Sequence, residues 1–170
     1  MQDKALKSAE AFHQQVSLWF HVAIALPLAG FVYIFLEMKH NSLSPVITYS
    51  WLVHVINFGI VLISIAIIAY VYSTYQRQLE SIRNSTGLQT KLKSYLTLSV
   101  RSYVALGALA ALIVGGLFLT TSAVLIVAYV SLLFLLSLHR PTPRKYVADL
   151  GLEGAEKESI LKKQPFPAEE

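Results

Sequence analysis

The sequence predicts an all-α integral membrane four-helix bundle, with both termini cytoplasmic and a helical hairpin protruding on the cytoplasmic side. Three observations carry that prediction. Long stretches lack charged residues, and one of them, Ser102 to Leu138, runs for 37 residues with no Asp, Glu, Lys, Arg or His. Hydrophobic residues make up 55% of the 170-residue chain against 14% charged, and its mean hydropathy is positive, a balance that belongs to membrane proteins rather than soluble domains. The basic residues, finally, gather on particular connections instead of spreading evenly.

The N-terminal segment comes first. Ala5, Ala9, Phe12 and Val16 recur at helical spacing, which predicts an amphipathic lead-in continuous with the first span. A polar stretch of some 15 residues precedes the apolar run, and no small-residue cleavage site follows it, so the segment does not read as a signal peptide. Span one is read from Val16 to Leu36. It holds Pro27 and Gly30, a pair that breaks some transporter helices but is common in membrane helices generally. Span two runs from Thr48 to Tyr72, again without a charge. Each run exceeds the roughly 20 residues needed to cross a 30 Å hydrocarbon layer.

Between spans two and three the apolar residues keep a helical rhythm. Tyr72, Tyr75, Leu79 and Ile82 step by three and four, Asn84-Ser85-Thr86-Gly87 interrupts, and Leu88, Leu92 and Tyr95 resume the stripe. This is the pattern of a helical hairpin, which either zips spans two and three together or docks another protein.

The 37-residue run is too long for one crossing. Leu119-Thr120-Thr121-Ser122 is its best turn, because three hydroxyls can bond backbone groups locally. Span three is therefore read over 97–118 and span four over 122–139, giving a four-span region over 1–140 and a short tail over 141–170. A rival turn at Gly115-Gly116 leaves too few residues before it. In the tail, Pro141 and Pro143 end the span, Arg144 to Leu150 make one or two helical turns, Gly151 stops them, and the last residues, rich in Pro and Glu, are read as loose.

Charge placement sets the orientation. Arg77, Arg83, Lys91, Lys93 and Arg101 lie between or just inside spans two and three, Arg140, Arg144 and Lys145 follow span four, and Lys4 and Lys7 precede span one. The outer connections carry only Lys39, so the basic faces read as cytoplasmic. The net charge of +4 is accounted for by this bias and by anionic lipid heads, not by nucleic acid. Arg101, Arg140, Arg144 and Lys145 are the candidate contacts to lipid headgroups.

Chemistry in such a chain begins with polar groups inside the membrane. Tyr33, Glu37, His54 and Asn57 fall at similar depth near the outer rim, and a Glu37–His54 contact there serves either as a packing hydrogen bond or as a ligand or proton site. His21 and His54 sit near opposite faces, separated by roughly 15 Å along the membrane normal, which argues against a shared haem. No Cys is present, removing disulfides and thiolate metal sites, and no cofactor, metal or catalytic residue is expected. Metalloprotease, phosphate-loop and serine-hydrolase motifs are missing, and Trp19, Tyr33, Tyr49, Trp51, Tyr70, Tyr72 and Tyr103 read as an aromatic belt. Gly107, Ala111 and Gly115 place a small residue at every fourth position of span three, the pattern that admits another helix closely, whether from this chain, a second copy or a different subunit.

The C-terminal third carries a pattern: Arg101 at membrane entry, a Gly-rich helix ending in Leu119-Thr120, then Arg140-Pro141-Thr142, Lys145 and Asp149-Leu150-Gly151-Leu152. It resembles small bacterial inner-membrane proteins that remain uncharacterised. The resemblance implies a bacterial inner-membrane location and carries no activity or site. Together these readings predict a non-catalytic accessory or assembly subunit with membrane lipids and other subunits, or itself, as partners. A small oligomeric channel or carrier is the alternative, and a b-type cytochrome subunit a more distant one.

Overall fold

The computed structural model describes residues 8–40, 42–85 and 87–162. Lys4, Ala5, Lys7, Thr86 and the end of the tail lie outside them. Six α-helices follow in order among the described residues: α1 (Ala9–Lys39), α2 (Ser50–Arg83), α3 (Leu88–Thr120), α4 (Ala123–Leu138), α5 (Pro143–Leu150) and α6 (Gly154–Leu161).

The lead-in and span one form one helix. α1 starts on Ser8, whose hydroxyl accepts from the Ala11 amide at 3.2 Å, and continues through Pro27 to Lys39 without a break. α2 likewise runs past Tyr72 to Arg83, and α3 begins at Leu88, well before the apolar stretch. The hairpin arms are thus extensions of the same helices that carry the spans. Between them Gly87 takes φ 87°, the left-handed region where a side chain is strained. The long uncharged run turns at Thr121, with φ 48°, while α3 passes straight through Gly115 and Gly116. α1, α2 and α3 are long and apolar enough to cross a membrane. α4, with 16 residues and about 24 Å of rise, passes that test only together with α5, from which it is bent by 76°.

The chain divides into two compact units. A terminal unit takes the described parts of Met1–His21, Tyr72–Tyr103 and Arg140–Glu170, and an apolar unit takes Val22–Val71 and Val104–His139.

The core of the apolar unit is built around α3. Leu106, Leu109, Ala110, Ile113, Val114 and Leu117 are buried from it, Leu125, Tyr129, Leu132 and Leu136 from α4, and only Ile34 and Ile60 from α1 and α2. Half of α3's most apolar stretch is buried against 17% for α1 and for α2, so α3 is the packing hub and the other two present most of their apolar surface outward.

In the terminal unit the sequence stripes close on one another. Ala9, Phe12 and Val16 of α1, Leu79 and Ile82 of α2, and Leu88, Leu92 and Tyr95 of α3 are all buried, together with Tyr146, Leu150, Leu152 and Ile160. Residues 140–162 complete this core, and α6 was not foreseen: its segment has too few apolar residues to show a period, yet Ile160 is 2% exposed.

Candidate functional site

Two places in the structure gather side chains with more than a packing role. The first lies in the terminal unit, where α5 is held by a set of polar contacts. Thr142 caps α5 by accepting from the Lys145 amide, Pro143 occupies the first turn where its missing N–H costs nothing, and Gly151 ends the helix at φ 62° with the Leu152 amide bonded back to the Val147 carbonyl at 3.1 Å. That geometry aims Asp149 at the hairpin. Its Oδ2 accepts from the Tyr95 hydroxyl at 2.8 Å and from the Tyr75 hydroxyl at 3.0 Å, and the two phenols lie 3.2 Å apart. Arg83, at the end of α2, donates from Nε to the Asp149 carbonyl at 2.7 Å and from a terminal nitrogen to the Ala148 carbonyl at 2.8 Å. A guanidinium thereby neutralises the partial negative charge at the C-terminus of α5. On the same face of α5, one turn earlier, the Tyr146 hydroxyl is 2.9 Å from His13 Nδ1, and its ring meets Phe12 edge-on at 5.3 Å and Tyr95 at 5.7 Å.

Burial governs the electrostatics of this cluster. It pushes the Tyr75, Tyr95 and Tyr146 hydroxyls well above the ordinary phenol value, and the Asp149 charge adds to the effect at Tyr75 and Tyr95. All three stay protonated, and Tyr75 and Tyr95 donate to Asp149. Burial also lowers Lys145, which Asp149 opposes in part. Two neutral phenols on one carboxylate oxygen make a latch between α5 and the hairpin.

The second place is the outer face of α3 in the apolar unit. Gly107 is buried, and a Cβ added to it would come within 3.1 Å of the Ala23 carbonyl oxygen, so this glycine lets α3 approach the backbone of α1. Ala111 and Gly115 do not join it. Both are exposed, and a Cβ at Gly115 meets nothing within 4 Å. The glycine in contact is instead Gly116, where a Cβ would overlap the Ile60 and Leu125 side chains. Successive four-residue steps of an α-helix drift about 40° around its axis, and the stripe has left the buried face by Ala111.

The rim residues separate as well. Asn57 is buried, and its Oδ1 lies 3.1 Å from the hydroxyl of Thr120, which is also 2.9 Å from the Gly116 carbonyl. His54 is exposed, Tyr33 is 64% exposed, and Glu37 forms no ion pair among the described residues. Among the described residues no hydrogen bond or ion pair joins Glu37 to His54; groups at the end of a span can be hydrated, while a buried amide must find a partner. Arg101, Arg140 and Arg144 are exposed, whereas Lys145 is half-buried beside α5. Among the described residues no group of three His, Cys, Asp or Glu side chains is placed to hold a metal.

Sequence reasoning missed the latch. Tyr75 and Tyr95 read as members of an apolar stripe, and Asp149 only as part of Asp-Leu-x-Leu. A lone carboxylate two residues before a helix-ending glycine was the available signal. That short motif now has a physical account: Asp149 bonds two tyrosines, Leu150 and Leu152 are buried, and Gly151 supplies the left-handed turn between them.

The chain matches no protein-family model, and comparison with curated proteins and with solved structures gives no match. Its class therefore rests on the structure itself: an all-helical protein with three helices long and apolar enough to cross a membrane.

Proposed function

We propose that this protein is a non-catalytic accessory or assembly subunit of a larger membrane complex, with membrane lipids and further subunits or copies of itself as partners. The observation that carries the reading is the uncovered face of α3. Val104, Ala108, Ala111, Leu112, Gly115, Phe118 and Leu119 are all exposed and fall on one helical stripe. Its centre, Ala108, Ala111 and Gly115, is made of small residues flanked by large apolar ones, the surface into which another transmembrane helix packs by close van der Waals contact. α3 is already the hub of its own unit, so a helix seated there would bind the most buried of the three long helices.

The same reading takes four membrane crossings, with α4 as the fourth, and places both termini and the α2–α3 hairpin on the cytoplasmic side. Support comes from the terminal unit, which draws its described residues from the start of α1, from the hairpin and from the tail, and from the basic residues on those segments. A bacterial inner membrane suits that charge bias and the resemblance of the C-terminal third. The hairpin's apolar stripe is occupied by α1 and α5 in this chain, so docking is assigned to α3 rather than to the hairpin.

Native mass spectrometry of the protein extracted in mild detergent tests the reading. Co-isolated subunits or a defined oligomer are expected, and Gly115→Leu should weaken the assembly about tenfold or more while leaving the monomer fold intact, since among the described residues a Cβ at that position meets nothing within 4 Å. An assembly unchanged in mass by Gly115→Leu and Ala111→Leu would remove α3 as the interface.

A further inference from the structure

We propose that a groove between α2 and α3 in the terminal unit binds the phosphodiester of an anionic membrane lipid through Lys93 and Arg101. The groove has a volume of about 380 Å³, within the roughly 300–1,000 Å³ of small-molecule sites. Ile82 and Leu98, both buried, form its floor, and Gln78, Lys93, Ser94 and Arg101 line it.

Its charge is one-sided and unspent. Neither Lys93 nor Arg101 is in an ion pair among the described residues, and no Asp or Glu lines the groove. Arg83 nearby in sequence differs: its guanidinium is committed to the end of α5. Lys93 and Arg101 stand eight residues apart on α3, about 12 Å along the axis, and two long side chains converge across that distance on one phosphate. The Thr97 hydroxyl between them is bonded back to the Lys93 carbonyl at 3.1 Å, leaving Ser94 and Gln78 as the neutral donors facing the groove. Cationic and neutral donors without a carboxylate make a phosphate site.

Position selects the lipid over a soluble phosphate. Arg101 is the last charged residue before the 37-residue uncharged run, whereas Lys93 lies two turns back on the polar side. The groove therefore straddles the boundary between charged and uncharged helix, the depth at which lipid phosphates reside. Apolar Ile82 and Leu98 beneath it suit the glycerol and first methylenes of such a lipid.

The test reconstitutes the full chain in nanodiscs of equal phosphatidylglycerol and phosphatidylcholine, releases it into detergent, and counts retained lipids by native mass spectrometry. Wild type is expected to keep phosphatidylglycerol in preference to phosphatidylcholine. Lys93→Gln and Arg101→Gln should each reduce that retention about fivefold, and the double variant about 25-fold. Gln78→Glu, which puts an anion into the groove without touching either cation, should repeat the loss, and Arg77→Gln, outside the groove, should change retention less than about twofold. Circular dichroism matching wild type confirms that the variants fold. Equal loss in Arg77→Gln, no effect of Gln78→Glu, or no preference for phosphatidylglycerol overturns the proposal. Thermal protection by glycerol phosphate in lipid-free detergent, lost in Lys93→Gln, would assign the groove to a soluble phosphate and overturn it too.

Discussion

In the terminal unit, aromatic rings and polar contacts meet: Phe12, Tyr95 and Tyr146 lie with ring centroids 5.3 to 6.3 Å apart, and hydroxyls, a carboxylate and a guanidinium tie α5 to the hairpin. In the apolar unit the core is aliphatic apart from Tyr129, stacked on Phe31 at 4.3 Å, and its buried interhelical polar contact is Asn57 with Thr120. Three of the helices are long and apolar enough to cross a membrane, and water and lipid favour different styles of packing. Where water is at hand, burial of apolar area drives association and polar groups add specificity. In lipid that driving force is missing between helices, and fit at glycine takes its place.

The comparison can be broken hardest by alkali. Unfolded tyrosines release protons near pH 10, while burial keeps Tyr75, Tyr95 and Tyr146 protonated beyond it, so above that pH the unfolded chain binds fewer protons and stability falls. Below pH 10 this contribution is fully present. Above it, the loss should be on the order of 1 kcal/mol per tyrosine per pH unit, read as delayed tyrosinate absorbance followed by cooperative exposure of the terminal unit. Tyr95→Ala at neutral pH comes next, at about 3–5 kcal/mol, against about 1 kcal/mol for Tyr95→Phe, which keeps the ring and loses the bond to Asp149. Hydrogen exchange over residues 140–162 reports both.

The apolar unit should answer to shape instead. Gly116→Leu forces a side chain onto Ile60 and Leu125 and should cost about 1–3 kcal/mol or more, measured by denaturation in mixed micelles, while Gly115→Leu should leave that stability unchanged. Thr120→Val, which strands Asn57, has the smallest effect, at about 1 kcal/mol.

These contrasts also mark what was legible in the sequence. The stripe of Ala9, Phe12 and Val16 and that of Leu79, Ile82, Leu88, Leu92 and Tyr95 were readable because each buries one face of one helix, and period alone reveals that. The turn at Thr121 was readable from its hydroxyls and from the length of the run. Gly115 against Gly116 was not, since adjacent residues point about 100° apart and the sequence does not say which side α2 and α4 occupy. Nor was the partner of Asp149, because a contact between residues 54 or 74 positions apart leaves no periodic trace.

The latch has a consequence for biogenesis. His13 and Tyr146 meet across 133 residues, and at ribosomal rates of about 5–20 residues per second the first waits roughly 7–27 s for the second to be made. During that interval Phe12 and Tyr95 lack the Tyr146 ring that packs against them. A nascent chain arrested before residue 140 thus displays an aromatic surface that the finished chain covers.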